Sequence, residues 1–321
     1  MLNFLYCLDE NYNVQAFVSI QSLLENSNEK LNLILLHKDP KSFESNKLYK
    51  SIVKNDKINS IQLIKFMKTK VNFPKIDNSH VSEATYYRLY ISEHIPEVKN
   101  LIYLDPDVIC LNDPINNLKD ELFKLNNSEF EVAAFTEYRR DLKNNDLFND
   151  LLIEGNKIFN AGILLIDFEK WNDNQLTDKL ISRLSMIEEK IKFWDQDVLN
   201  SYFNSKYLEL EEKFNYKINT DLGYKEQFSI EIFKENVKNV IFIHYSGKFK
   251  PWSVKGVLHS SSFFYQHYYF QLSGKRYHIY NNWKPQAIKD LRKAIKKNEI
   301  KMVEKPGKFF YYVIKFLLTA R

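Results

Sequence analysis

The chain has 321 residues, 44% of them hydrophobic and 15% aromatic, and a net charge of +5. That is enough apolar material for one large domain or two small ones. The charge is concentrated: residues 281–321 hold eleven Lys/Arg against three Asp/Glu, so the preceding body is net acidic, which excludes a nucleic-acid-binding body.

The opening stretch MLNFLYCLDENYN lacks the basic start and long apolar core of a secretion signal. No apolar run reaches the ~18 residues of a spanning helix. The two cysteines, Cys7 and Cys110, sit in apolar runs without metal-ligand spacing and read as buried thiols in a reducing compartment.

In chain order, Leu2–Leu8 predicts a strand that ends at Asp9-Glu10-Asn11. Apolar residues at helical spacing then predict a helix over 14–24, with Asn13 as N-cap. A strand is expected at Leu31–Leu36, a polar helix at about 42–54, and a third strand at Ile58–Phe66. SEATYYRLYISEH (82–94) has helical spacing behind a Ser82 N-cap, and a buried strand follows at 101–104. Strands alternating with helices over this first third predict an α/β fold, with parallel strands and right-handed crossovers. Further strands are expected at Val132–Phe135, at FNAGILLIDFEKW (159–171) after a Gly-bearing turn, and at Asn239–His244. Residues 137–158 read as a polar surface excursion, and 172–190 and 194–203 as helices. No Pro/Gly/Ser-rich linker interrupts 1–280, so one domain with a C-terminal extension is expected.

The chemistry centres on LIYLDPDVICLNDP (101–114). Pro106 lacks an N–H, so regular pairing stops there, and Asp105 and Asp107 can converge once the chain bends. Hard divalent cations favour such oxygen ligands, and in open α/β sheets ligands bind beyond the carboxyl ends of strands. The other strand-ending polar groups are Asp9/Asn11, Asn160/Gly162 and His244. Each also has a structural reading: ordinary turn residues, close backbone packing at Gly162, and a hydrogen-bonded core histidine. Arg88 is either a solvated charge or a fork for phosphate.

Six pieces, taken in order, resemble the family-8 retaining glycosyltransferases, which include bacterial lipopolysaccharide galactosyl- and glucosyltransferases. They are LDENY (8–12), YYRLYI (86–91), LIYLDPDVICLNDP (101–114), FNAGILLID (159–167), WDQDVLN (194–200) and IHYSGKFKPW (243–252). Pro106 departs from the small or apolar residue usual between the two carboxylates, but leaves both in place. The resemblance implies a GT-A fold, a Rossmann-like single domain with a mixed, mainly parallel sheet. It also implies a UDP-sugar donor and Mn²⁺, with Mg²⁺ as the alternative ion. By motif match, Asp105, Asp107 and His244 would hold the metal, and Lys250 and Gly247 would approach the phosphates. Asp9, Asn11 and Tyr12 would hold uridine. Arg88 would contact phosphate or sugar and orient Asp105. Asn160, Ala161 and Gly162, with Asp195 and Gln196, would line the donor sugar. Gln196 would face the reacting carbon; an amide is a poor nucleophile, so the resemblance favours a front-face route in which Gln196 stabilises an oxocarbenium-like species.

The expected activity is transfer of glucose or galactose to a glycan acceptor in surface-glycan synthesis. The alternatives are a catalytically silent sugar-nucleotide binding protein and a nucleotidyl- or phosphoryl-transfer enzyme. No G-x-x-x-x-G-K-[ST] loop supports the last. Residues 137–158 and 212–236 are expected to shape the acceptor pocket. In the tail, PQAIKDLRKAIKKNEI (285–300) sets Ala287, Ile288, Leu291, Ala294 and Ile295 on one helical side amid basic residues. FFYYVIKFLL follows the Pro306-Gly307 break. This 281–321 extension suits either an anionic membrane surface on the inner face of the cytoplasmic membrane, or packing on the body or on a partner.

Overall fold

The computed structural model describes residues 1–67, 73–74, 82–218 and 230–319. The chain opens with β1 (Asn3–Leu8), α1 (Asn13–Asn26), β2 (Leu31–His37), α2 (Pro40–Glu44), α3 (Tyr49–Val53) and β3 (Ile58–Lys65). A 3₁₀ segment, Glu83–Tyr90, leads into α4 (Ile91–His94), β4 (Asn100–Leu104), β5 (Val108–Cys110) and α5 (Ile115–Asn126). Next come β6 (Val132–Arg139), α6 (Asn145–Asp150), β7 (Lys157–Asp167), α7 (Phe168–Asp173), α8 (Leu176–Ile187) and α9 (Trp194–Phe203). The last part holds β8 (Leu208–Glu209), β9 (Tyr216–Lys217), α10 (Ile230–Asn236), β10 (Phe242–His244), α11 (Ser262–Ser273), α12 (Lys284–Lys296) and α13 (Pro306–Leu318).

Seven strands form one sheet in the order β3-β2-β1-β4-β7-β6-β8. Its pairs are parallel except β4–β7 and β6–β7. Side-chain alternation divides the core across this sheet. Leu5, Cys7, Leu101 and Tyr103 face a cluster with the 82–95 segment, α8 and α9. Phe4, Tyr6, Ile102 and Leu104 face a second cluster with α1 and α5. Burial on both faces explains why these strands read as continuous apolar runs. β1 is followed on one side by β2 and β3, while β4 lies on its other side. The crevice beyond the carboxyl ends of β1 and β4 is therefore a topological switch point, where ligands bind in such sheets. Asp9 follows β1 and Asp105 follows β4.

Several local expectations change. Asn13 lies inside α1 rather than capping it; Tyr12 is the N-cap, and the side chain of Asp9 caps the 3₁₀ turn Glu10–Tyr12. Asn13 is instead drawn into side-chain bonds with His37 (2.7 Å) and Ser42 (3.1 Å). The helix expected over 42–54 is two short helices, α2 and α3. The 82–94 helix is mostly 3₁₀, although Ser82 does accept from Ala84 N–H. Residues 137–158 are a surface excursion only in part: 141–143 are exposed, but β6 runs to Arg139 and Phe148, Leu151 and Ile153 are buried. Gly162 sits within β7, not in a turn. Helix α5 fell between the expected elements.

A second sheet, β5-β10-β9, carries Asp107's neighbours and His244. Cys7 and Cys110 are both buried free thiols. At the C-terminus, Ala287, Ala294, Phe309 and Val313 cluster with Val254, Val257, Leu258, Tyr277 and Ile279. The expected apolar stripe of α12 is thus divided: Ala287 and Ala294 turn inward, while Ile288 and Ile295 stay exposed beside Lys289, Arg292, Lys293 and Lys296. Among the described residues, no helix is long and apolar enough to cross a membrane.

Candidate active site

A pocket of about 620 Å³ opens at the switch point. Twelve of the candidate residues line it: Tyr12, Arg88, Asp105, Asp107, Asn160, Ala161, Gly162, Asp195, Gln196, His244, Gly247 and Lys250. Asp9 and Asn11 are not lining residues; they shape the turn that presents Tyr12. Asp9 accepts from Asn11 N–H (3.0 Å) and Asn11 Nδ2 (3.3 Å). Tyr12 packs edge-on against Trp252, with ring centroids 6.3 Å apart.

Ligand atoms of Asp105, Asp107 and His244 all lie within 4.8 Å of one another. His244 Nε2 is 3.4 Å from Asp107 Oδ1 and 4.0 Å from Asp105 Oδ2. Asp107 Oδ1 is buried and accepts no hydrogen bond, whereas Oδ2 accepts from Lys250 Nζ at 2.7 Å. A buried carboxylate oxygen left without a donor, facing an imidazole nitrogen, fits a divalent cation bound by mixed O and N ligands. Burial raises the pKa of Asp107, but the Lys250 ammonium bonded to Oδ2 outweighs it and holds the carboxyl below its usual range. Asp105 moves the other way: burial and the neighbouring Asp107 raise it against the pull of Arg88.

Two chain reversals assemble this cluster. β7 runs antiparallel to β4, with Leu104 opposite Ile163, and Asp105 N–H donates to Gly162 O at 2.8 Å. The middle of β7, rather than a strand end, therefore borders the site. β10 pairs antiparallel with β5, placing His244 opposite Val108 and bringing its ring to Asp107.

Arg88 is buried, which removes its reading as a solvated charge. It forms an ion pair with Asp195 through Nε and Nη2, the latter at 3.2 Å from Oδ1, and donates to Ala161 O. It also lies 3.7 Å from Asp105 Oδ1 and 4.2 Å from the centroid of the Tyr103 ring. One guanidinium thus ties the 82–90 segment to β4, β7 and α9, as its planar set of five donors permits. Burial still dominates at Asp195 and pushes its carboxyl up to about 7 despite Arg88.

Asp195 and Gln196 open α9. The chain enters through a left-handed residue, Trp194 (φ 50), a conformation that costs roughly 1–2 kcal/mol for an L-residue. Asp197 holds the turn by accepting from Lys192 and Phe193 N–H, both at 2.7 Å. Gln196 Oε1 accepts from Ala161 N–H at 3.0 Å, which fixes the amide against β7.

Four further residues, outside the set of candidates read from the sequence, shape the site. Tyr103 donates to Asp105 Oδ1 at 2.5 Å; its position two residues earlier on the same strand face was a readable signal. Glu137 and Lys217 form an ion pair on the pocket wall. Asn215, fully buried, joins Asn160 to His244 at 3.0 Å on each side. No spacing in the sequence announces it. Of the segment 212–236, residues 219–229 lie outside the described residues.

The family model for glycosyl transferase family 8 matches residues 3–256. This chain belongs to glycosyl transferase family 8. A putative glycosyltransferase of Haemophilus influenzae is 29% identical over 79% of this chain and 74% of its own length. The lipopolysaccharide 1,2-glucosyltransferase of Escherichia coli is 30% identical over 97% of this chain and 86% of its own. The galactosyltransferase LgtC, solved with donor and acceptor sugar analogs, superposes with a TM-score of 0.63 at 19% identity, covering 89% of this chain and all of that one. That likeness establishes the GT-A fold. The chain is accordingly a family-8 glycosyltransferase whose acidic cluster suits a divalent metal.

Proposed function

We propose that this family-8 glycosyltransferase moves glucose or galactose from a UDP-sugar to a glycan or glycolipid acceptor, with retained anomeric configuration, in lipopolysaccharide or other surface-glycan synthesis. The observation that carries the reading is the convergence of Asp105, Asp107 and His244 beside Lys250, in a chain aligned over nearly its full length with a lipopolysaccharide glucosyltransferase. Asp105, Asp107 and His244 would hold Mn²⁺, or Mg²⁺ in its place. When bound, the ion would supply Lewis-acid stabilisation of the departing diphosphate.

The remaining roles belong to the chain's own side chains. Lys250, buried beside Asp107, would offer a fixed positive charge to phosphate oxygens, and Gly247, which also lines the pocket, would allow their close approach. Tyr12 would stack on uridine, on the turn set by Asp9 and Asn11. Asn160, Ala161, Gly162 and Asp195 would line the hexose. Gln196, which lines the pocket, would turn its amide dipole toward the positive charge that develops on the sugar ring, in keeping with a front-face route.

The C-terminal extension, 281–321, would hold the enzyme on the inner face of the cytoplasmic membrane. Exposed Ile288, Ile295, Tyr311, Ile314 and Leu318 alongside the basic face of α12 support that reading. Each basic residue near an anionic surface contributes about 1 kcal/mol.

The deciding assay measures UDP release from UDP-glucose and UDP-galactose, with Mn²⁺ and lipooligosaccharide-type acceptors. Acceptor-dependent release that disappears in Asp107→Asn is expected. Donor binding without release under any condition would mark a silent binding protein, and an inverted product would overturn retention. For the membrane, reversing Lys289, Arg292, Lys293 and Lys296 to Glu should abolish salt-sensitive sedimentation with anionic vesicles; unchanged sedimentation would remove the role given to α12.

A further inference from the structure

We infer that Asn215 is a positioning residue that sets the tautomer of His244, so that Nε2 meets the two carboxylates as a lone pair. The inference rests on the metal assignment proposed above and adds a residue outside that set.

Gly162 N–H can only donate, and it donates to Asn160 Oδ1 at 3.0 Å. The other end of that amide, Nδ2, donates to the Glu137 carboxylate at 3.0 Å. The Asn160 amide is therefore oriented at both ends. Its oxygen is also 3.0 Å from the Asn215 side chain, which must present its NH₂ there. Asn215 Oδ1 consequently faces His244 Nδ1, again at 3.0 Å. An amide oxygen only accepts, so Nδ1 carries the proton. In neutral His244 the free lone pair is then on Nε2, the atom 3.4 Å from Asp107 Oδ1.

Asn215 is wholly buried, and its backbone is fixed by N–H donation to Glu212 O at 2.9 Å. The His244 ring lies against Gly162, where a Cβ would meet it, and its Nδ1 edge is turned to Asn215. Metal-bound histidines generally donate their other ring N–H to such a partner, and removing that partner costs about 10–100-fold in metal affinity. Here the partner is itself oriented through Asn160, so the sugar-lining amide and the metal-facing imidazole belong to one hydrogen-bonded chain.

The test uses histidine-selective ¹⁵N NMR of the full-length, metal-free enzyme, about two pH units above the ordinary imidazole pKa of about 6.5. The His244 signal is assigned by its loss in His244→Gln. Mn²⁺ affinity is measured in parallel by titration calorimetry with UDP present. Wild type is expected to show the Nδ1–H tautomer at His244. Asn215→Leu should shift it toward Nε2–H and weaken Mn²⁺ binding by at least about tenfold. Asn215→Asp keeps an acceptor for Nδ1–H and should keep the tautomer. An Nε2–H tautomer in wild type overturns the inference, and that reading stands even where the Leu variant fails to fold. Wild type that binds Mn²⁺ with Asn215→Leu binding it equally well overturns the inference alone. Wild type that binds no divalent cation overturns the metal assignment as well.

Discussion

The imidazole of His244 occupies the space that a side chain at position 162 would fill: a Cβ on Gly162 would lie 2.2 Å from His244 Cε1. The glycine's function here is steric, since no left-handed backbone is recorded at this position. It lets a strand of the main sheet approach a ring carried by the smaller sheet, so the two sheets share one cluster.

Gly162→Ala should therefore displace His244 while leaving the strands paired. The expected result is a rise of at least about tenfold in the Mn²⁺ concentration needed for half-maximal transfer, with a cooperative thermal transition retained. A variant with unaltered metal dependence would show that the ring's position does not matter.

Arg88→Ala should be costly to the fold as well as to activity. It strands Asp195 and Ala161 O in the interior, and breaking a buried ion pair typically costs about 3–5 kcal/mol. Arg88→Lys should rescue little, because one ammonium cannot serve Asp195, Asp105 and Ala161 O together. Denaturant unfolding of the three proteins provides the measurement; a lysine variant as stable as wild type would contradict this account.

Gln196→Ala should act on turnover. Its amide is held by Ala161 N–H rather than by Arg88 or Lys250, so removing it leaves the acidic cluster intact. Turnover is expected to fall at least about tenfold while the UDP dissociation constant changes less than about threefold. Steady-state kinetics with UDP calorimetry separates the two, and a loss confined to UDP binding would refute the role.

His37 should make stability sensitive to mild acid. Burial pushes its imidazole from 6.5 down to about 4, with Asp39 opposing only in part. The folded protein keeps His37 neutral while the unfolded chain takes up a proton, so stability is full above 6.5 and falls as pH drops from 6.5 toward 4. The loss is at most roughly 3 kcal/mol. His278, pushed down to about 3 by burial, acts in the same direction. Denaturant midpoints at neutral and mildly acidic pH should diverge less in His37→Gln than in wild type; equal divergence would exclude His37 as a source.

Much of the site was legible because its residues sit at ends of strongly patterned elements. The apolar runs of β1 and β4, buried on both faces, announce parallel strands; Asp9, Asp105 and Asp107 follow them directly. The spacing of 194–203 likewise marks α9, and with it the place of Asp195 and Gln196. An apolar run cannot state its direction or its neighbour, however. Those depend on pairing between distant segments, which alone decided that β7 reverses against β4 and that β10 leaves the main sheet to join β5. The same long-range packing buried Arg88 and turned half of the α12 stripe inward. It also placed Asn215, a polar residue in an unremarkable stretch, between Asn160 and His244. Local patterning thus marks the candidate side chains at the strand ends; their orientation waits on long-range packing, because it comes from hydrogen bonds and close contacts between strands that are far apart in the chain.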